Sequence, residues 1–401
     1  MGDAKRDRTG GRVSPMKVGI VVPFSWSFWG GVPEHADHQA RALKELGIDV
    51  RVVIGHDPPG RLTQMLHPRG GRHERPPSYV IPVGRSVIAP ANESLANIVL
   101  SPASMLRMRR VFEREQFDVL HVHEPLTPLL SAFALAIAPC PTVATFHAAG
   151  ERLAWYPLGL RLWGIVAERI DRRIAVSESA RETARRYLGP VPIEVVPNGV
   201  LIPPAAHPGR RLRHVVFIGR HEPRKGLAVL LRAWPRITAA TGARLRVIGA
   251  DPLSVRWLLR RSGVSAANVD LLGSIAEDEL THELLEASVL AAPALGNESF
   301  GMVLTRAFAC ATPVVASAID GYRDVASEET GVFVSPGDEE ELADAIVGLL
   351  TDEPRRLALG AAGRSVAEER YSWERIGCLL GGIYEEVAGV RAFAGAATAA
   401  A

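Results

Sequence analysis

Apolar residues along this chain gather in short unbroken runs, separated by longer segments in which they recur every three or four positions. The runs predict strands at 17–22, 50–54, 79–81, 119–122, 142–146, 173–176 and 193–196, and again at 214–218, 245–248, 269–272, 289–292, 313–316 and 332–334. Strands that are apolar throughout, rather than alternating, are covered on both faces, as in a parallel sheet. The segments between them carry the helical period. One helix is predicted over 33–46, broken at Gly47, with others over 105–114, 339–350 and 373–387.

The alternation pauses once. Pro197-Asn198-Gly199-Val200 opens a Pro- and Gly-containing stretch running to residue 209, which reads as a linker. With 401 residues the chain exceeds one typical core. The expected fold class is therefore α/β, with two Rossmann-like, doubly wound domains facing across a cleft. Residues 16–200 form the first and 201–370 the second; 371–401 form a C-terminal helix expected to pack back on the first domain, ending in a frayed tail. Residues 1–15 read as a disordered leader, basic and without the apolar core of a signal peptide. Ligands of such sheets sit at the carboxyl ends of the strands, so the cleft is the expected site.

Composition narrows the function classes. A hydrophobic content of 47% and a charged content of 22% are those of a soluble globular protein. A net charge of +2 gives no argument for nucleic acid. Cys140, Cys310 and Cys378 are scattered among apolar residues and fit neither a disulfide framework nor a metal site, which points to a reducing cytoplasm. No apolar run reaches the ~18 residues needed to span a bilayer.

Candidate chemistry sits at predicted strand ends. In 295–306, Gly296 and Asn297 suit a turn, Ser299 is a candidate N-cap, and Val303, Leu304, Ala307 and Phe308 share one helix face. Glu298 is thereby held just ahead of a helix N-terminus, a carboxylate for hydroxyls beside a dipole for an anion. A sugar nucleotide needs that combination; an ordinary capped helix with a solvated Glu fits the stretch equally. Arg220 and Lys225 follow the strand 214–218 and could neutralise a diphosphate, although a solvated basic loop fits them as well. Gly30-Gly31 permits close backbone approach to a ligand. Phe24, Trp26, Phe28 and Trp29 around it suit an acceptor wall, a lipid-facing lip or packing at the hinge. His147 ends a buried strand, where its imidazole would enter the cleft. His121 and His123 have metal-like spacing, but no third ligand follows at a clear interval and no Asp-x-Asp pair is present, so no metal is expected. Met105, Met108 and Phe112 share one face of the helix at 105–114, and Arg107, Arg110 and Arg114 share another. Such a helix suits an anionic membrane surface, or a solvated surface with an apolar underside.

Taken together these motifs resemble the retaining family-4 glycosyltransferases of GT-B fold. The marks are Gly30-Gly31-Val32, Thr145-Phe146-His147, Val196-Pro197-Asn198-Gly199-Val200, Gly219-Arg220 with Arg224-Lys225-Gly226, and Glu298-Ser299-Phe300-Gly301, over residues 16–387. Within that family the first domain is most similar to the actinobacterial phosphatidylinositol mannosyltransferases, through Pro23-Phe24-Ser25, the stretch from Phe117 to Pro125, and Val143 to His147. The resemblance implies that Arg220 and Lys225 hold the donor diphosphate, that Glu298 binds hydroxyls of the transferred sugar, and that Ser299, Phe300 and Gly301 help bind phosphate. It implies that His147 contacts the donor sugar and reacting centre, that Gly30-Gly31 lies beneath the diphosphate, and that Phe24 and His147 lie on the acceptor side. It also implies front-face attack without a protein nucleophile, no cofactor, and domain closure about the linker.

Two departures are visible. The family carries a second Glu eight residues after the first, for the nucleotide ribose, and here that position is Arg306, which as a cation cannot accept hydrogen bonds. Arg306 is expected to pair with Glu298, to contact phosphate or to point away. A Tyr usual in the phosphatidylinositol enzymes is Phe24, and the acceptor loop Val83-Gly84-Arg85-Ser86-Val87 keeps part of their pattern. The expected function is transfer of a hexose, best mannose from GDP-mannose, to a lipid or polyol acceptor such as phosphatidylinositol. Alternatives are a UDP-sugar-dependent transferase with a small-molecule or glycan acceptor, and a non-catalytic sugar-nucleotide-binding relative. A dinucleotide oxidoreductase is disfavoured because neither first strand–helix turn carries Gly-x-Gly-x-x-Gly. The expected location is cytoplasmic, peripheral on the inner face of the plasma membrane.

Overall fold

The computed structural model describes residues 15–28, 30–67, 75–91, 94–127, 129–150, 166–204, 214–262 and 264–389. The first domain is built on β1 (Lys17–Ser25), β2 (Asp49–Gly55), β3 (Val80–Gly84), β4 (Val87–Ala91), β5 (Ser94–Ile98), β6 (Val119–His123), β7 (Thr142–Phe146), β8 (Arg172–Ala175) and β9 (Glu194–Val195). Its parallel sheet has the order β3-β2-β1-β6-β7-β8-β9. The helices are α1 (Gly31–Glu45), α2 (Arg61–Leu66), α3 (Pro102–Glu115), α4 (Leu130–Ile137) and α5 (Glu178–Leu188). β6 and β7 are buried at every position, including the polar His121, His123, Thr142 and Thr145.

The second domain contains β10 (His214–Ile218), β11 (Arg244–Ile248), β12 (Val269–Gly273), β13 (Val289–Ala292), β14 (Val314–Ser317) and β15 (Gly331–Val334), in the parallel order β12-β11-β10-β13-β14-β15. Its helices are α6 (Leu227–Thr241), α7 (Pro252–Ser262), α8 (Glu277–Glu286), α9 (Met302–Ala309), α10 (Asp320–Arg323), α11 (Glu339–Thr351) and α12 (Glu353–Val366); α13 (Trp373–Ala388) follows. Strand order reverses beside the first strand of each sheet, between β1 and β6 and between β10 and β13. A doubly wound sheet opens its ligand crevice at such a point.

The chain crosses between domains twice, and the crossings are tied together. Val200 N–H donates to the Tyr371 carbonyl at 2.7 Å, and Val200 pairs with Ser372 in a parallel bridge. Gly199 lies so close to the Trp373 indole that a Cβ there would come within 2.3 Å of it. Beyond this crossing α13 packs on α1 of the first domain, where Gln39 Nε2 donates to the Tyr384 hydroxyl at 2.7 Å. Between α5 and α10, Ser179 donates from N–H and hydroxyl to Asp324 at 2.9 and 2.7 Å.

Four expectations change. β4 and β5 form an antiparallel hairpin that the apolar pattern did not predict, attached to the end of β1 through Phe24 and Ile98. Pro90 argues against a strand, but β4 pairs with β5 alone, so the missing donor falls on an edge. Ser299 is not the cap of α9: that position is Gly301, at φ 74°, while the Ser299 carbonyl accepts a hydrogen bond from the Ser177 hydroxyl. Trp26 is neither lip nor hinge; it is buried with Val18, Ile20 and Val22 in the core of the first domain. Phe28 lies against the His67 ring, 4.2 Å between centroids, and Trp29 falls outside the described residues. The face of α3 carrying Met108 and Phe112 is buried in the fold, with Met105 partly so, and the exposed face carries the arginines together with Leu106. The expected leader, apart from Pro15, and the expected tail also fall outside the described residues. No helix among those residues is long and apolar enough to cross a membrane.

Candidate active site

The site begins with two turns of the second domain folded against each other. Gly296 and Asn297, at φ 154° and 56°, turn the chain after β13 and bring Glu298 back towards β10. The short 3-10 turn Pro223–Lys225 after β10 ends at Gly226, at φ 70°. A Cβ on Gly226 would lie 1.7 Å from the Pro293 carbonyl oxygen, so glycine is what lets the two turns touch. Leu295 N–H donates to the Arg224 carbonyl at 2.7 Å and joins them.

The result is a charged cluster. Lys225 Nζ and Arg224 each reach Glu298 Oε1 at 2.6 Å. Arg224 also reaches Glu222 at 2.9 Å, and Glu222 holds Arg220 at 2.8 Å, leaving the Arg220 side chain 58% exposed. Of the expected donor residues, Lys225 and Glu298 are thus in direct contact, and Arg220 is joined to them through Glu222 and Arg224. Arg224 is the member that sequence reasoning quoted but did not assign; its basic neighbour in Arg224-Lys225-Gly226 was the available signal. Phe300 is buried, and Gly301 has Tyr322 so near that a Cβ would come within 2.8 Å of its ring. α9 therefore starts at Met302, shortly after Glu298 in the chain, with the positive end of its dipole at that end.

The first domain meets this end of α9 through its own glycine turn. α1 starts at Gly31 with no side-chain cap, and a Cβ on Gly31 would sit 3.9 Å from Met302 Sδ. Gly31 thus lies near the Met302 side chain of α9, while an added Cβ on Gly30 would meet nothing within 4 Å. Phe24 is half-buried on the face of β1 that carries Val18, Ile20 and Val22. Ser25 at the end of β1 and Ser86 of the loop at 83–87 are tied to buried Asp57, at 2.7 and 2.6 Å.

Behind the glycine turn lies a histidine array. His147 Nε2 and His123 Nδ1 are hydrogen-bonded at 2.8 Å, and the His147 backbone N–H donates to Glu124 Oε1 at 2.8 Å. His35 of α1 stands 5.1 Å from His147 between ring centroids. His121 bonds Thr145 at 2.6 Å and the Tyr384 hydroxyl. Burial, followed by the neighbouring His121, pushes His147 down to about 3; burial and then His35 do the same to His121. His123 and His35 are also driven well below the usual range, by burial first and by the other imidazoles next. All four are neutral near neutral pH. His147 is therefore a hydrogen-bonding imidazole rather than a cation. The third ligand that spacing failed to supply is present in space, since His35, His123 and His147 bring one ring nitrogen each within 4.8 Å of the others. Among the described residues a second group, Glu34, His38 and Glu277, also brings one ligand atom each within 4.8 Å of the others.

Arg306 neither pairs with Glu298 nor points away. Its guanidinium meets Glu34 of α1 across the cleft, and Glu277 of α8 at 3.5 Å. Burial lowers it to about 10, which leaves it charged near neutral pH. Nothing in the sequence announces this pair, whose members are 272 positions apart.

Residues 29–201 match the family model Glycosyltransferase Family 4, and 213–352 match Glycosyl transferases group 1. A phosphatidyl-myo-inositol mannosyltransferase of Mycobacterium leprae is 36% identical, over 93% of this chain and 97% of its own. The chain belongs to the family-4 glycosyltransferases. A protein of the same description from Propionibacterium freudenreichii is 33% identical over 90% of this chain and 93% of its own. Solved structures agree on the fold. A sucrose-phosphate synthase of Thermosynechococcus elongatus matches with a TM-score of 0.71, at 20% identity, over 92% of this chain and 98% of that one. An Anabaena protein, HepE, in complex with UDP and glucose, matches with a TM-score of 0.69, at 18% identity, over 92% and 99%. This glycosyltransferase accordingly has the GT-B architecture and is a hexosyltransferase.

Proposed function

We propose that this glycosyltransferase moves mannose from GDP-mannose to the inositol headgroup of phosphatidylinositol, with retention of configuration and without a metal. The observation that carries the donor site is the meeting of Glu298 with Lys225 and Arg224 shortly before the N-terminus of α9. The likeness to phosphatidyl-myo-inositol mannosyltransferases supports mannose and phosphatidylinositol.

In this reading the diphosphate lies at the N-terminus of α9, between Lys225, Arg220 and the glycine turn of the first domain. Three kinds of positive charge converge there: guanidinium, ammonium and the helix dipole. They stabilise the charge that grows on the leaving phosphate, the role a divalent ion would otherwise fill. Glu298 takes hydroxyls of the transferred sugar. The bond from C1 to the phosphate oxygen breaks and the bond from C1 to an inositol oxygen forms on the same face; the inositol proton passes to the departing phosphate. No protein nucleophile is needed, and positioning in a closed, dry cleft supplies the rest. Neutral His147, with Nε2 engaged by His123, offers its other ring nitrogen to the reacting sugar.

The membrane contact is electrostatic in this reading. Arg107 and Arg110 are exposed on α3, while Arg114 is shared with Glu115 at 2.8 Å. An anionic surface would be met by the arginine face, not by the buried apolar one.

A thermal-shift screen tests the donor. GDP-mannose raises the melting temperature of the wild type and much less that of Lys225→Ala, whereas UDP-sugars and NAD leave it unchanged. Stabilisation by a UDP-sugar alone would replace the nucleotide in this proposal.

A further inference from the structure

We propose that α7 of the second domain is a membrane-surface helix that lays Leu253 and Trp257 into the interface of an anionic bilayer. This goes beyond the function proposed above and uses neither its donor nor its acceptor site.

Between Pro252 and Ser262 the helix carries Arg256, Arg260 and Arg261 and no acidic residue. At about 100° per residue its positions sort into two faces. Val255 and Leu259, one turn apart, are buried in the core of the second domain with Leu245 and Val247 of β11. On the opposite face Leu253 and Trp257, also one turn apart, are 72% and 57% exposed. Leu253 is the most exposed large apolar side chain among the described residues, and Trp257 is the only exposed Phe, Tyr or Trp among them. The helical period puts Arg256 and Arg260 along one border of this apolar pair and Arg261 along the other, and all three are exposed. Arg261 lies over the Trp257 ring, 5.2 Å from its centroid, and none of the three arginines has an ion pair among the described residues. On α3, by contrast, acids hold two of the arginines: Glu113 holds Arg109 at 3.0 Å and Glu115 holds Arg114 at 2.8 Å.

An apolar stripe with cations along both borders is complementary to a surface that is apolar inside and anionic outside. A Trp ring sits at the headgroup level, with its body in the apolar zone and its N–H towards water. Arginine stems lie along the same zone while their heads reach lipid phosphate. A protein partner fits less well, because Leu253 and Trp257 supply only a small part of the ~800 Å² per side that a stable protein interface buries. At 11 residues α7 is too short to cross a bilayer, and it would lie flat, held by charge and by two shallow side chains.

Flotation with vesicles of phosphatidylcholine, alone or mixed with phosphatidylglycerol, tests the contact in the absence of the acceptor lipid. The full chain is expected to float with the mixed vesicles, less so as salt is raised, and to stay behind with the neutral ones. Each of Arg256→Gln, Arg260→Gln and Arg261→Gln is expected to weaken partition about fivefold. The double variant Leu253→Ser, Trp257→Ser is expected to lose flotation. These positions are exposed, so the fold tolerates the changes. Brominated acyl chains in the mixed vesicles are expected to quench the tryptophan fluorescence of the wild type, and that of Trp257→Phe less. Partition and quenching that are unchanged in the α7 variants overturn the proposal, even where changing Arg107 and Arg110 abolishes binding. So does a wild type that floats with neither vesicle, or one whose mass in solution halves on Trp257→Ser, which would place a second copy on this face. Donor binding plays no part in these readouts, so failure of the donor reading would leave them as they are.

Discussion

Glu298 is held by two cations, and that arrangement has consequences for each partner. In the structure Lys225 and Arg224 neutralise Glu298; under the proposed function, donor binding would turn the cations to phosphate and Glu298 to sugar hydroxyls. Removing one charge-assisted hydrogen bond costs about 1.5–3 kcal/mol, or roughly 10- to 150-fold. Lys225→Ala and Glu298→Ala are each expected to lower the rate of transfer by at least that factor, with circular dichroism unchanged. Wild-type rates in either would remove the cluster from the reaction. The histidines make a second residue-level prediction. His121 and His147 titrate near 3 in the folded chain, and His35 and His123 are also pushed down. Unfolded histidines titrate near about 6.5. Between these limits the unfolded chain binds protons that the folded chain refuses, so stability is full above about pH 6.5 and falls as pH drops towards 3. The urea midpoint should therefore be lower at about pH 5 than at about pH 7.5. An equal or higher midpoint at the acid value would mean that the array is not buried as a neutral set.

At the scale of elements, the donor site depends on two turns touching. Gly226→Ala places a Cβ against the Pro293 carbonyl at positive φ, whereas Gly242, at φ 67°, has nothing within 4 Å of an added Cβ. Backbone strain is common to both and costs on the order of 1–2 kcal/mol. Only the first also forces the 3-10 turn away from Glu298. Gly226→Ala is expected to lose donor binding and more stability than Gly242→Ala, measured by calorimetry and by chemical unfolding; equal effects would mean the turns can separate without harm. For α3 the exposed element is its arginine face. Liposome flotation should show binding to anionic vesicles that falls when Arg107 and Arg110 are changed to Glu, and little binding to neutral vesicles. Recovery independent of lipid charge and of these residues would discard the membrane contact.

At the scale of the whole molecule, the sheets were legible because fully buried parallel strands leave runs that are mostly apolar, as in β13. The β4–β5 hairpin was not, since it is short, lies at an edge and contains Pro90. Within the site, residues local to one turn were readable: Gly296, Asn297 and Glu298 as a loop, Lys225 and Gly226 after a strand. Ser299 was misread as a cap because a glycine at positive φ does that work two residues later. Contacts made by domain packing left no local trace. The Glu34–Arg306 pair joins α1 to α9, and His35 comes to His123 and His147 from another element. The two crossings between domains are tied to each other, Val200 N–H to the Tyr371 carbonyl at 2.7 Å. The central claim is that this two-domain cleft transfers mannose from GDP-mannose to phosphatidylinositol. The purified chain, given both substrates and a chelator, should yield a mannosylated phosphatidylinositol detected by mass spectrometry, and Glu298→Ala should not. Absence of that product with the wild type, or its formation only from a UDP-sugar or only after a divalent metal is restored, would contradict the account.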